Sequence, residues 1–199
     1  SNAEVTQDFN SDRIAAALRM VKDLDATSAL SFNLQMQDVD FDNNRFARDH
    51  KRYEGYASYT SRLNRLDLLL DAGYARLDYD DGQSRNNPLL RAEVGWRMSE
   101  RSRFRVNAAN QFSDAATNAL TAIAGAPPGI PGSVLTGRAT ITPSAYEQRS
   151  AIIGYEYTGV RTTYSIFGNT QKIDYVDPGS SNQESRGFAT QLSYRLRPS

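Results

Sequence analysis

From Leu30 to Gln37 the chain alternates without a break. Leu30, Phe32, Leu34 and Met36 are apolar, and Ser31, Asn33, Gln35 and Gln37 between them are polar. Successive side chains of a strand point to opposite faces, so a period of two gives one oily face and one wet face. A helix would scatter the same residues around its surface. Eight further runs carry the pattern, near 12–22, 51–60, 65–79, 89–98, 103–113, 146–157, 161–175 and 186–197. The run at 65–79 sets Leu66, Leu68, Leu70, Ala72 and Tyr74 on one face, and the run at 89–98 sets Leu90, Ala92, Val94, Trp96 and Met98. The segment Arg13–Lys22 also has good helix propensity, but its place in the series favours a strand. The expected fold is all-β, an antiparallel up-and-down meander of about eight to ten strands forming a β-barrel or part of a larger one.

The connections alternate in length. Short turns are expected near 23–27, 61–64, 99–102 and 158–160, where phrases such as Gly95-Trp96-Arg97-Met98-Ser99 close one run before the next. Long loops are expected near 41–50, 80–88, 114–145 and 176–185, where Asp-Asn-Asn (42–44), Asp-Asp-Gly (80–82) and Asp-Pro-Gly (177–179) supply turn chemistry. The segment 114–145, with Ala126-Pro127-Pro128-Gly129, is too long for an idle connection. Short turns at one end and long loops at the other are the asymmetry of outer-membrane barrels. The runs also reach the ~9–11 residues a tilted strand needs to cross a bilayer. Residues 1–11 read as a cloning remnant (Ser1-Asn2-Ala3) plus an N-terminal extension, and 12–199 as one barrel domain or barrel fragment.

Composition narrows the partners. The 23 basic and 23 acidic side chains balance, so there is no basic excess of the kind nucleic acid requires. No cysteine is present, which removes disulfide frameworks and thiolate metal sites. Hydrophobic content is 39%, while Tyr reaches 11 and Phe 8. Few aliphatics and many tyrosines suit a wall between lipid and water better than a packed globule. No apolar stretch approaches the ~18–20 residues of a spanning helix, and an exported chain is expected to have had its signal peptide removed from this sequence.

Aromatic residues fall into two groups. Tyr59, Trp96, Phe104, Tyr155, Tyr157, Tyr164 and Tyr194 lie toward the short-turn end, and Phe41, Tyr53, Tyr74, Phe112, Tyr146, Tyr175 and Phe188 toward the long-loop end. Two belts at that spacing are expected to form aromatic girdles at the two lipid–water interfaces.

The residues give catalysis little support, and no cofactor is expected. His50 is the lone histidine and sits in a charged stretch, so it is expected to be a solvated loop residue. Asp38-Val-Asp-Phe-Asp42, Asp78-Tyr-Asp-Asp81 and Asp174-Tyr-Val-Asp177 echo one another before long loops. Their oxygen ligands suit a hard cation such as Ca²⁺, but a solvated acidic rim is the simpler expectation, and no metal site is assigned. The polar faces are richer. Arg91, Glu93, Arg97, Arg103 and Arg105 belong to adjacent runs, and Glu54, Asp67, Asp71, Glu156 and Arg195 take equivalent positions elsewhere. In a barrel these ten residues face the lumen, either as a lining that guides an anionic or sugar solute or as internal ion pairs that fill it.

Tyr146–Tyr157, Arg161–Gly168, Asp174-Tyr175 and Gly187–Pro198, with Leu90–Phe104 in the same style, resemble the outer-membrane β-barrel proteins associated with exopolysaccharide and PEP-CTERM sorting systems. The resemblance implies a porin-type barrel of the bacterial outer membrane made with surface-polysaccharide machinery, and no catalytic motif is carried over. Lipid bilayer, polysaccharide and small solutes are then the expected partners. Nine strands is an odd number where single-chain bacterial barrels have an even one, so a fragment of a larger barrel is expected, able to self-associate through open sheet edges. The competing expectation is a soluble or surface-attached β-barrel that binds a small ligand or a protein. In that case Leu66, Leu68, Leu70, Val94, Trp96 and Val106 line the interior, and Arg91, Glu93 and Arg105 face solvent.

Overall fold

A computed structural model describes residues 11–41, 48–113, 145–176 and 181–196. The chain forms nine antiparallel strands: β1 (Ser11–Asp23), β2 (Ser28–Phe41), β3 (His50–Arg62), β4 (Leu66–Tyr79), β5 (Ser84–Arg97), β6 (Ser102–Ser113), β7 (Tyr146–Thr158), β8 (Thr162–Tyr175) and β9 (Gln183–Tyr194). They lie side by side in sequence order in a single sheet, and that order does not close β9 onto β1. No helix occurs among the described residues, so the segment 13–22 is strand despite its helix propensity: its alternate side chains match those of β2 all along the pairing.

The turns at 24–27, 63–65, 98–101 and 159–161 share one end of the sheet, as expected. At the other end one expectation fails. The segment 80–88 is not a long loop, because β5 begins at Ser84. Gly82, at φ +83°, takes the left-handed conformation that lets the chain reverse at once. The Gly82 amide donates to Tyr79 O at 3.0 Å, the Tyr79 amide to Gln83 O at 2.9 Å, and the Gln83 amide to Asp81 Oδ1 at 3.0 Å. Asn86-Asn87-Pro88 has the composition of a loop but lies within β5. Pro88 has no amide to give. The β5–β6 register stops at Leu90–Asn110, and the Asn110 side-chain amide donates to Pro88 O at 2.7 Å. The segment 114–144 and residues 42–47 lie outside the described residues.

Register assigns the faces. Leu68, Val94, Val106, Ile153, Gly168 and Phe188 form one continuous row across β4 to β9. Leu18, Leu34, Gly55 and Tyr74 form another across β1 to β4. This apolar face is the outer one: Leu18, Phe32, Leu34, Leu90, Trp96, Ile153 and Phe188 are all exposed. The opposite face carries the row Ser31, Ser58, Asp71, Arg91, Ala109, Ser150, Gln171 and Ser185. It holds most of the buried polar side chains, among them Glu54, Asp71, Asn87, Gln148 and Ser165. A flat single sheet would leave both faces open, so this burial requires the sheet to curl over its polar face.

The alternation changes sign near the long-loop end. Along β4 the outer residues run Leu66, Leu68, Leu70, Ala72 and Tyr74, then turn charged at Arg76 and Asp78, while the inner residues turn apolar at Ala75, Leu77 and Tyr79. Along β2 the outer Leu30, Phe32, Leu34 and Met36 give way to Asp38 and Asp40, and the inner face gains Val39 and Phe41. The resulting core sits inside that end, where Ala75, Leu77, Tyr79, Leu89, Phe112 and Ala145 cluster, with Val39 and Phe41 packed together nearby.

Candidate functional site

A polar network crosses the inner face at mid-height. Glu54 on β3 reaches Arg91 on β5 at 3.3 Å and Arg52 on its own strand at 3.4 Å. Arg91 also lies 3.6 Å from Asp71 on β4. Gln37 of β2 accepts from Arg52 at 2.7 Å, and Gln111 of β6 accepts from Arg91 Nε. Five adjacent strands are thus tied by two arginines and two carboxylates of no net charge. The Arg91 guanidinium also sits 5.3 Å from the Tyr56 ring centre, a cation–π distance. Glu54 and Asp71 have side-chain exposures of only 3% and 8%. A buried carboxylate left without its cation is costly, so these charges hold one another in place.

The expected lumen residues separate into two groups on the inner face, with Arg195 apart from both. Glu54, Asp71 and Arg91 come together in the network. Glu93, Arg97, Arg103, Arg105, Asp67 and Glu156 share the same face, toward the short turns. None of these six makes an ion pair within 4.0 Å among the described residues. Arg97 stands directly opposite Arg103, and like charges side by side repel. Glu156 is the acid that faces Arg103 on its other side. Arg195 falls one residue past β9, exposed, with its amide donating to Arg161 O at 2.8 Å. Sequence reasoning missed Arg52, Gln37 and Gln111 as members of the network, although each alternates in phase with residues it had singled out.

Tyr59, Trp96, Phe104, Tyr155, Tyr157, Tyr164 and Tyr194 all lie on the outer face. Trp96, Phe104 and Tyr155 form one cross-strand row, and Tyr157 faces Tyr164. The second belt is different from the expectation. Tyr53, Tyr74 and Phe188 are outward and exposed, but Phe41, Phe112 and Tyr146 are buried. Tyr175 shares the inner phase and stacks edge-on against Tyr146 at 5.6 Å. The sign change explains Phe41 and Tyr146; Phe112, in register with the outward Glu147, is packed into the core cluster all the same. Where the outer face is charged, the inner face becomes the place for rings.

His50 departs from the expected solvated loop residue. It is the first residue of β3, is buried, and lies between Phe41 at 6.1 Å and Tyr79 at 5.9 Å. Its Nδ1 lies 3.0 Å from Arg48 O. Of the acidic echoes, Asp38 meets Lys51 at 3.4 Å, Asp78 meets Arg76 at 2.7 Å, Asp81 meets Arg48 at 2.7 Å and Asp174 meets Lys172 at 2.9 Å. Among the described residues no group of three or more carboxylate or imidazole ligands is placed to hold a metal ion.

Compared with protein-family models, curated proteins and solved structures, the chain gives no match.

Proposed function

We propose that this chain is the wall, or a large part of the wall, of an outer-membrane β-barrel of the porin type, which passes small solutes of a surface-polysaccharide system through a charged lumen. The observation that carries the reading is the direction of the apolar face. Rows of Leu, Val, Ile and aromatic side chains run across the sheet on the outside, and ion-paired and amide side chains occupy the inside. Monomeric proteins in water rarely expose so continuous an apolar surface, whereas a barrel in lipid needs one. Strands of 12 to 14 residues exceed the ~9–11 that cross a bilayer. Asp71 Oδ1 and Gln148 Oε1 are buried on the inner face with no protein donor among the described residues, ready for hydroxyl groups of a solute or for water. The link to surface polysaccharide rests on the sequence resemblance alone. A soluble ligand-binding barrel would place Leu68, Val94 and Val106 inside and Arg91 in solvent; the exposure of Leu90, Trp96, Ile153 and Phe188 on the face they share favours the membrane reading.

The test is a charge placed on the outer wall. Leu34→Arg and Ile153→Arg, each folded into phosphatidylcholine vesicles and unfolded in urea, are expected to lose about 2–4 kcal/mol, as lipid-facing arginines do near the bilayer midplane. A protein that presents this face to water would change by no more than ~0.5 kcal/mol, and that outcome sinks the proposal.

A further inference from the structure

The charged collar above the apolar band has an internal order. On β4, β7, β8 and β9 an outward basic residue and an outward acid stand two positions apart: Arg76 with Asp78 at 2.7 Å, Arg149 with Glu147 at 2.6 Å, Lys172 with Asp174 at 2.9 Å, and Arg186 with Glu184 at 2.6 Å. β4 and β8 run toward the long loops, and β7 and β9 run away from them. In all four cases, therefore, the base is the residue next to the apolar band and the acid lies beyond it. The order belongs to these four strands: on β2 the outward residues after the apolar run are the acids Asp38 and Asp40.

Cross-strand pairing sharpens the point. Arg149 faces Lys172, and Glu147 faces Asp174, so like charges oppose each other across β7 and β8. Alternating the order on one strand would have given two favourable cross-strand pairs instead of two repulsive ones. The arrangement gives up that gain across β7 and β8: Arg149 and Lys172 stand side by side, with Arg186 diagonal to Lys172, whose direct partner across β8 and β9 is Glu184. All three are well exposed, Arg186 most of all at 78% of its side chain. Arg149 and Arg186 each spend only Nε and Nη2 on their carboxylate partner. A guanidinium has five N–H donors, so each keeps donors to offer outward.

On β7, β8 and β9 the base lies next to the apolar band and its acid farther along the same strand, an order that complements a layer whose negative charge lies directly above its hydrocarbon. We infer that Arg149, Lys172 and Arg186 form a docking patch for the phosphate of anionic lipid headgroups, in the leaflet on the long-loop side. Arg76 repeats the order on β4, with β5 and β6 between it and the patch. This rests on the membrane reading above, but goes beyond it by naming the leaflet, the headgroup chemistry and the residues.

Bromolipid quenching tests it in the full chain, folded into phosphatidylcholine vesicles that contain a minor share of phosphatidic acid. An indole is placed beside the patch by Phe188→Trp with Trp96→Phe. Phe188 is outward and lies two positions from Arg186 toward the band. At equal mole fraction, brominated phosphatidic acid is expected to quench this indole about fivefold more effectively than brominated phosphatidylcholine, the order of one basic contact with an anionic surface. Adding R149Q, K172Q and R186Q is expected to bring the two lipids level. The native Trp96, toward the short turns, serves as the second readout and is expected to show no preference in either background. Equal quenching of the indole at 188 by both lipids overturns the docking patch while leaving the membrane reading standing. A preference that survives the triple substitution overturns the assignment to these residues. Quenching of neither indole by any bromolipid overturns the patch and the membrane reading together.

Discussion

Single residues set how closely the strands approach. Gly154 on β7 faces Phe167 on β8, and a Cβ added to Gly154 would lie 2.7 Å from Phe167 Cδ1 and 2.8 Å from Cε1. The ring thus covers the glycine and gains burial, a pairing that also relieves the weakness of glycine in a strand. Gly154→Val is expected to destabilise the folded chain by about 1–3 kcal/mol, the usual cost of overpacking. Phe167→Ala in the same chain should restore part of the loss, because it removes the obstacle. A urea-unfolding double-mutant cycle measures the coupling, and strictly additive effects would mean the two residues do not meet. At the same scale, His50 shows what sequence hides. Nothing local tells that the residue after Arg48-Asp49 enters a strand and sits between two rings contributed by β2 and β4.

At the scale of elements, hairpins are held by their turns. In the β1–β2 turn, Asp25 Oδ1 accepts from the Thr27 amide and the Thr27 hydroxyl, both at 2.7 Å, and Oδ2 accepts from the Ser28 hydroxyl. Ser28 first, then Thr27, favours the charged carboxylate and lowers its pKa from the ordinary 3.8 to about 2. A depressed carboxylate contributes stability that is complete above the ordinary value and is lost as pH falls through the folded one. The Thr27 amide resonance is therefore expected to titrate with a midpoint of about 2, and Asp25→Asn should abolish that titration. A midpoint at the ordinary carboxylate value would contradict the bonding described. The elements themselves were largely legible, since strict alternation leaves little choice between strand and helix. The β4–β5 connection was not: Asn86-Asn87-Pro88 has turn composition, and only the pairing with β4 from Ser84 onward draws it into a strand.

For the whole molecule the open question of physics is the two sheet edges. Among the described residues β1 and β9 each pair on one side only, and unpaired edges template further pairing. The chain has no cysteine, so introduced ones report cleanly. Ala17 on β1 and Ala189 on β9 both lie on the inner phase. With Ala17→Cys and Ala189→Cys together, mild oxidation in detergent is expected to give disulfide-linked dimers and higher species, read on non-reducing gels. A purely intramolecular crosslink would mean that the edges meet within one chain, and no crosslink at all would mean that these edges do not pair.

By itself the sequence determined the strands, their antiparallel order and which residues share a face, because a two-residue period admits one reading and a short turn forces neighbours together. It also determined that Arg91, Glu54 and Asp71 fall on a common face. Tertiary structure alone decided that this face is the inner one, since alternation is symmetric between the two sides until the sheet curls. It decided which charges meet: Glu54 and Arg91 are 37 positions apart and touch across an intervening strand. It also placed the change of sign at Tyr74–Ala75 and Met36–Val39, where two half-patterns read separately look like strand ends. Only when register aligns them do they become one boundary, with lipid-like chemistry below it on the outside and a closed apolar core above it on the inside.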